Sequence, residues 1–131
     1  MINLSVVVLT KNEERNIQRC LDSVAGWANE IVVVDDESTD RTVDIASRYT
    51  DRIIIKKMDI EGSHRNFAYA QAKNLWVLSL DADEAVTEEL KVEIREALAK
   101  HLHCNGFTIP RRNFIGDYWV RYGGWYPSPQ L

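Results

Sequence analysis

Cysteine is scarce in this sequence. Cys20 and Cys104 are the whole complement, too few for a disulfide scaffold, and two reduced, packed thiols are the expectation. An excess of positive charge is missing too: Lys and Arg number 16 against 20 Asp and Glu, giving a net charge of -4. That balance offers no field of the kind that condenses onto a phosphate backbone, so nucleic acid is not expected as a partner. Long apolar runs are absent, the longest being stretches such as Val6 to Leu9 and Ile31 to Val34. A bilayer-crossing helix needs about 20 residues. The start, Met1-Ile2-Asn3-Leu4-Ser5, shows no basic stretch followed by an apolar one and a small-residue cleavage site, which leads to an expectation of cytoplasmic residence. Neither internal repeats nor low-complexity tracts occur.

What the chain does contain is the balance of a globular domain. Its 131 residues are 45% hydrophobic, 27% charged and 9% aromatic, which suits one core and argues against extended disorder. Asn3 to Leu9 and Glu30 to Val34 are rich in Val and Ile, with both faces apolar, as in strands buried between helices. Asp51 to Lys57 and Leu75 to Leu80 repeat that character. Between the first two runs, Ile17, Cys20, Leu21 and Val24 recur at helical spacing. A second helix is expected after Asp40, with Val43, Ala46 and Tyr49 inward and Arg41, Asp44 and Arg48 in water. A third starts near Ser63 and carries Phe67, Ala70 and Asn74. A fourth runs from Thr87 to about Lys100 on Leu90, Ile94, Ala97 and Leu98. Strands alternating with such helices predict an α/β fold with a doubly wound, mostly parallel sheet and flanking helices. Ligands bind such sheets outside the carboxyl ends of the strands.

Four segments fall at those ends: Thr10 to Glu13, Asp35 to Asp40, Met58 to Asn66 and Asp81 to Glu84. Asp81 and Asp83, two residues apart, leave their strand on one side and can reach one ion. Two carboxylates about 4 Å apart repel by about 4 kcal/mol at an effective dielectric near 20, which a divalent cation relieves. Oxygen ligands without a nearby His or Cys favour Mg²⁺ or Mn²⁺. The plainer reading has Asp83 and Glu84 bias the following helix through its dipole. In the second segment, a carboxylate can accept a ribose hydroxyl or a base N–H. Helix capping accounts for Ser38, Thr39 and Asp40, and less well for Asp35 and Asp36. Gly62-Ser63-His64-Arg65-Asn66 is placed before the third helix, where free N–H groups and an Arg could meet a pyrophosphate; the plainer reading is a loop glycine and an exposed Arg. His101-x-His103-Cys104 offers three zinc ligands, but no fourth follows, and His residues at a helix end are favoured instead. After about His103, 7 of the 12 aromatics crowd the tail, whose last residues, Gly123 to Leu131, show no helix or strand.

Together these segments resemble the family 2 glycosyltransferases, inverting enzymes with a GT-A fold and nucleotide-sugar donors. Ser5-Val6-Val7-Val8-Leu9-Thr10-Lys11-Asn12-Glu13 looks like the opening strand, whose end holds the nucleoside. Val33-Val34-Asp35-Asp36-Glu37-Ser38-Thr39-Asp40 is similar to the second motif. Gly62-Ser63-His64-Arg65-Asn66 and Leu78-Ser79-Leu80-Asp81-Ala82-Asp83 match the Arg-Asn and Asp-x-Asp pair. The resemblance implies nucleotide binding by Thr10, Asn12, Glu13, Asp36, Arg65 and Asp81. Asp36 would bind the base, Arg65 the diphosphate, and Asp83 with Asp81 a Mg²⁺ or Mn²⁺ ion.

The implied division is a donor domain over 1–104 and the start of an acceptor-side segment over 105–131. Trp27-Ala28-Asn29-Glu30 and the closing Gly-Gly-Trp-Tyr-Pro are similar to the branch that glucosylates the lipopolysaccharide inner core. That branch implies a glycan or glycolipid acceptor and a place at the inner face of the cell membrane. Family members carry their catalytic base in the acceptor half, so the base is expected beyond Leu131. Asp117, flanked by Gly116 and Tyr118, does not match the motif required of it. An acceptor face left open would favour self-association. Two other readings stand beside this one: a receiver-like module in which clustered acids bind Mg²⁺ and one Asp accepts phosphate, and a nucleotide-sugar-binding fragment without turnover.

Overall fold

Valine-rich segments pair side by side in the computed structural model, which describes residues 2–100 and 103–121 and the backbone of 128–130. Four strands, β1 (Ile2–Thr10), β2 (Ala28–Asp35), β3 (Ile53–Ile55) and β4 (Trp76–Asp81), form one sheet in the order β3-β2-β1-β4. Every pairing is parallel. The crossovers carry α1 (Ile17–Asp22), α2 (Thr42–Ala46) and α3 (Glu61–Ala70), and α4 (Glu88–Ala99) follows β4. The doubly wound expectation is met: strand order runs outward from β1 to β3, then reverses to β4, and the reversal opens a crevice at the carboxyl ends.

Alternation along the strands divides the core. Val7, Val32 and Val34 face Ala68 of α3, with Phe67, Tyr69, Val77 and Ile54 packed around them. Val6, Val8 and Val33, equally buried, point to the other face. There Ile17, Cys20 and Leu21 of α1, Val24 just beyond it, and Ile45 and Ala46 of α2 are buried as well.

Several boundaries depart from expectation. In α2 the buried side is Thr42, Ile45 and Ala46, while Val43 and Tyr49 are only half-buried. Thr42 turns inward because its hydroxyl bonds Asp40 and accepts the Glu13 N–H. Helix α3 begins at Glu61 and not near Ser63, so Gly62 to Asn66 lies inside its first turns and not before it. His64 and Ala68 are its buried residues; Ala70 is exposed and Asn74 lies past its end. Leu75 is 91% exposed, and β4 starts only at Trp76. Thr87 does open α4, accepting the Leu90 N–H at 3.2 Å, but no residue of that helix is fully buried.

The chain separates into two compact units, Met1–Ala97 and Leu98–Leu131. The second holds two antiparallel pairs: β5 (Ile109–Arg111) with β8 (Ser128–Gln130), and β6 (Asn113–Ile115) with β7 (Tyr118–Val120). A strand at Ser128–Gln130 corrects the expectation of a structureless end. Pro129 stands opposite Pro110, and a two-stranded ladder, all edge, tolerates a residue without an N–H. Gly116, at φ 59, and Asp117 turn the chain between β6 and β7, the positive φ that a tight hairpin requires of its first central residue. Trp119 lies beneath the guanidinium groups of Arg112 and Arg121, at 5.1 and 4.2 Å from the ring centre. Tyr122, Trp125, Tyr126 and His101 lie outside the described residues.

Candidate functional site

Loops after β1 and β2 are laced together before any ligand is considered. The Asp36 N–H bonds the Thr10 carbonyl at 2.9 Å. The Asn12 N–H donates to Ser38 Oγ, and Asn12 Oδ1 accepts the Thr39 N–H, each at 2.8 Å. The Glu13 N–H donates to Thr42 Oγ1 and the Glu14 N–H to Asp40. Asn12 and Glu37 both adopt φ 51; Asn tolerates this left-handed backbone, whereas Glu does so at a cost of about 1 kcal/mol.

The acids at the end of β2 have different employment. Asp35 is fully buried, and its carboxylate takes both the Ser38 N–H, at 2.7 Å, and the Ser38 hydroxyl. Turn formation therefore accounts for Asp35 as fully as capping accounts for Asp40, which accepts the Thr42 N–H at 2.9 Å. Hydrogen bonds from Thr42 and Glu14 hold the Asp40 carboxyl below the usual range although burial, the largest influence, pushes it up. Replacing Asp35→Ala strands two Ser38 donors and is expected to lower stability by about 2 kcal/mol, read as a reduced urea midpoint. Asp36 instead reaches the crevice. It accepts the Met58 N–H at 2.8 Å and pairs with Lys11 Nζ at 2.9 Å, and both lower its pKa, the Met58 bond most.

Opposite stands the turn after β4. Ala82 N–H bonds the Leu9 carbonyl, Glu84 carboxylate accepts the Asp81 N–H at 2.9 Å, and Arg19 holds the Asp83 carbonyl at 2.6 Å. Glu84 thus fastens its own turn, and the first-turn acids of α4 are Glu88 and Glu89. Cys20 lies below, its thiol bonded to the Asp81 carbonyl and pushed up to about 12 by burial and by Glu84, Asp83 and Asp81. Arg65 of α3 donates to Asp81 at 3.1 Å and to Glu61 at 3.0 Å.

These parts enclose a cavity of about 330 Å³ lined by Leu9, Thr10, Lys11, Glu13, Asp36, Met58, Glu61, His64, Arg65 and Asp81 to Asp83. Thr10, Glu13, Asp36, Arg65, Asp81 and Asp83 gather around it as the sequence led one to expect. Asn12 does not line it; its side chain is spent on Thr39. Lys11, Met58 and His64 line it without having been singled out. Five acids stand there against Lys11 and Arg65. Among the described residues no three His, Cys, Asp or Glu side chains form a ready cage for metal. Carboxylate oxygens such as those of Asp81 and Asp83, both lining the cavity, are the donor type that suits a hard divalent cation. The Asp83 carboxylate has no counter-ion among the described residues, whereas Asp36 and Asp81 each have one.

Known proteins resemble this chain in sequence and in fold. Residues 5–129 match the sequence model of glycosyl transferase family 2. An uncharacterized glycosyltransferase of Rickettsia typhi is 41% identical over 77% of this chain and 35% of its own length. The lipopolysaccharide core biosynthesis glycosyltransferase LpsC of Rhizobium meliloti is 30% identical over 88% of this chain and 44% of its own. Among solved structures, TarS of Staphylococcus aureus in complex with UDP superposes with a TM-score of 0.62 at 28% identity, covering 76% of this chain and 33% of that one. TarS has also been solved with UDP-GlcNAc. The chain spans about a third of the length of the Rickettsia relatives it matches. With a parallel sheet, a strand-end cavity and this match over nearly all its residues, the chain belongs to glycosyl transferase family 2 and has the GT-A fold.

Proposed function

We propose that the chain is the donor-binding part of an inverting, metal-dependent glycosyltransferase that moves a sugar from a nucleoside-diphospho-sugar to a glycan or glycolipid acceptor. One observation carries the reading: a single cavity at the strand ends collects Asp36, Arg65, Asp81 and Asp83. UDP-sugars are the favoured donors, in line with the UDP and UDP-GlcNAc complexes of TarS. The likeness to LpsC supports a lipopolysaccharide core acceptor, and with it work at the inner face of the cell membrane. No helix among the described residues is long and apolar enough to cross a membrane.

Inverting transfer needs a deprotonated acceptor hydroxyl, in-line attack on the anomeric carbon and a stabilised diphosphate leaving group. The residues here serve the third need. Asp36 takes the base, with Thr10 and Glu13 beside it and Asn12 fixing the loop. Arg65 stands where its guanidinium can pass from Asp81 to the diphosphate. Asp81 and Asp83 would hold Mg²⁺ or Mn²⁺, which when bound supplies charge neutralisation to the leaving diphosphate. The general base is assigned to none of the described residues, so binding without turnover by this chain alone belongs to the same reading.

Calorimetry with UDP, with and without Mn²⁺, tests this. Heat that grows with Mn²⁺ is expected, and no heat in either condition would retire the proposal in favour of a receiver-like acidic pocket. Arg65→Ala is expected to weaken UDP about a hundredfold while uridine loses little, since charge-assisted bonds to phosphate contribute about 1.5–3 kcal/mol. Equal losses for both would contradict a diphosphate contact.

A further inference from the structure

Satisfied polar groups are the rule in protein interiors, and a buried orphan calls for an explanation. Two residues that line the strand-end cavity, Thr10 and His64, carry such atoms, Oγ1 and Nδ1. His64 is 5% exposed, one of the two fully buried residues of α3. Its successor on the helix, Arg65, reaches Asp81 at 3.1 Å. His64 and Asp36 line the same cavity. Helix α3 thus brings two different groups to the cavity, a guanidinium that reaches the β4 turn and a buried imidazole. The mechanism above uses only the first.

We propose that His64 is a specificity-determining residue of the donor site, its Nδ1–H donating to a carbonyl of the nucleotide base whose neighbouring imide N–H is taken by Asp36. The inference rests on the donor-site reading and names the class of base: one that presents an N–H beside a carbonyl, as uracil does. An acceptor next to a donor matches that edge. Cytosine presents a bare ring nitrogen where uracil has its N–H, which sets a lone pair against the Asp36 carboxylate. In the unliganded chain the imidazole nitrogen is buried without a partner, a cost that binding removes. A group kept for a ligand at the expense of the empty fold has an opposite signature from a group kept for packing.

The experiment measures UDP and CDP binding by calorimetry, and the melting temperature without nucleotide, for the wild-type chain, His64→Leu and His64→Asn. Asn places an amide N–H near the position of Nδ1. His64→Leu is expected to weaken UDP about tenfold, to narrow the preference for UDP over CDP, and to melt no lower than wild type. His64→Asn is expected to hold UDP within about threefold of wild type. A Leu variant that binds UDP as wild type does, or an Asn variant that loses as much as Leu, overturns the role of His64 while leaving the donor site standing. A Leu variant that melts several degrees lower assigns His64 to packing. A wild-type chain that takes up no UDP overturns the donor reading and this inference together.

Discussion

Asp83→Asn is expected to abolish the gain in UDP affinity that Mn²⁺ provides, while metal-free affinity stays close to wild type. The cavity carries five acids against Lys11 and Arg65, and a diphosphate entering it adds negative charge to a surplus of the same sign. Like charges about 6 Å apart repel by about 3 kcal/mol at an effective dielectric near 20. Arg65 already answers Asp81, and Lys11 answers Asp36. The Asp83 carboxylate, without a counter-ion among the described residues, is where a divalent cation has most to gain. Removing its charge while keeping its shape is therefore expected to cost at least tenfold of the Mn²⁺-dependent component, read from paired titrations. An undiminished gain at saturating Mn²⁺ would remove Asp83 from the metal.

The second large effect lies at the opposite edge of the sheet. Glu30 of β2, its side chain only 9% exposed, accepts the Ser5 hydroxyl, the Lys73 N–H at 2.8 Å and the Arg52 guanidinium. Ser5 Oγ in turn accepts two bonds from Asn74, and Arg52 also donates to the Gln71 carbonyl. One carboxylate thereby ties β1, β2, the entry to β3 and the loop before β4. Burial, the largest influence, would raise its pKa, but the bonds from Lys73, Ser5 and Arg52 outweigh it and hold the carboxyl below the ordinary value of 4.5. A depressed carboxyl contributes stability that is complete above the unfolded value and fades as pH falls through the folded one. Glu30→Gln is expected to cost about 3 kcal/mol at pH 7, because Arg52 is left half-buried without its charge partner. The variant is also expected to lose part of the wild-type decline in stability below about pH 4.5. Urea denaturation across pH 3 to 7 reads both; parallel wild-type and variant curves would show that Glu30 carries no linked proton.

The central sheet was legible because β1 and β2 are buried on both faces, and a doubly buried strand writes itself as an unbroken Val and Ile run. The α3 boundary was not, since Ile60 precedes the helix with an extended backbone and no side-chain cap, leaving no Ser, Thr, Asp or Asn signal at that point. Leu75 was drawn into β4 on hydrophobicity alone, although it faces solvent. In the second unit the strands are three residues long, too short for any period to show. The gathering of Asp36, Arg65, Asp81 and Asp83 at one cavity was legible through strand-end acids and the Arg-Asn pair. Lys11 and His64 were quoted within those motifs without a role of their own. A lysine beside a strand end looks like any solvated lysine, and a histidine inside a helix gives no sign of which way it faces.

Because β4 pairs with β1 and with no other described strand, the cavity at the ends of these two strands exists only after the chain has travelled through two more strands and three helices and returned. Non-local contacts of this kind form late and open early. Amide protons of β4 are therefore expected to exchange faster than those between β1 and β2 in the empty protein. Nucleotide lodged across the seam would slow the β4 protons selectively, so occupancy is readable as a redistribution of local opening and not only as a rise in melting temperature.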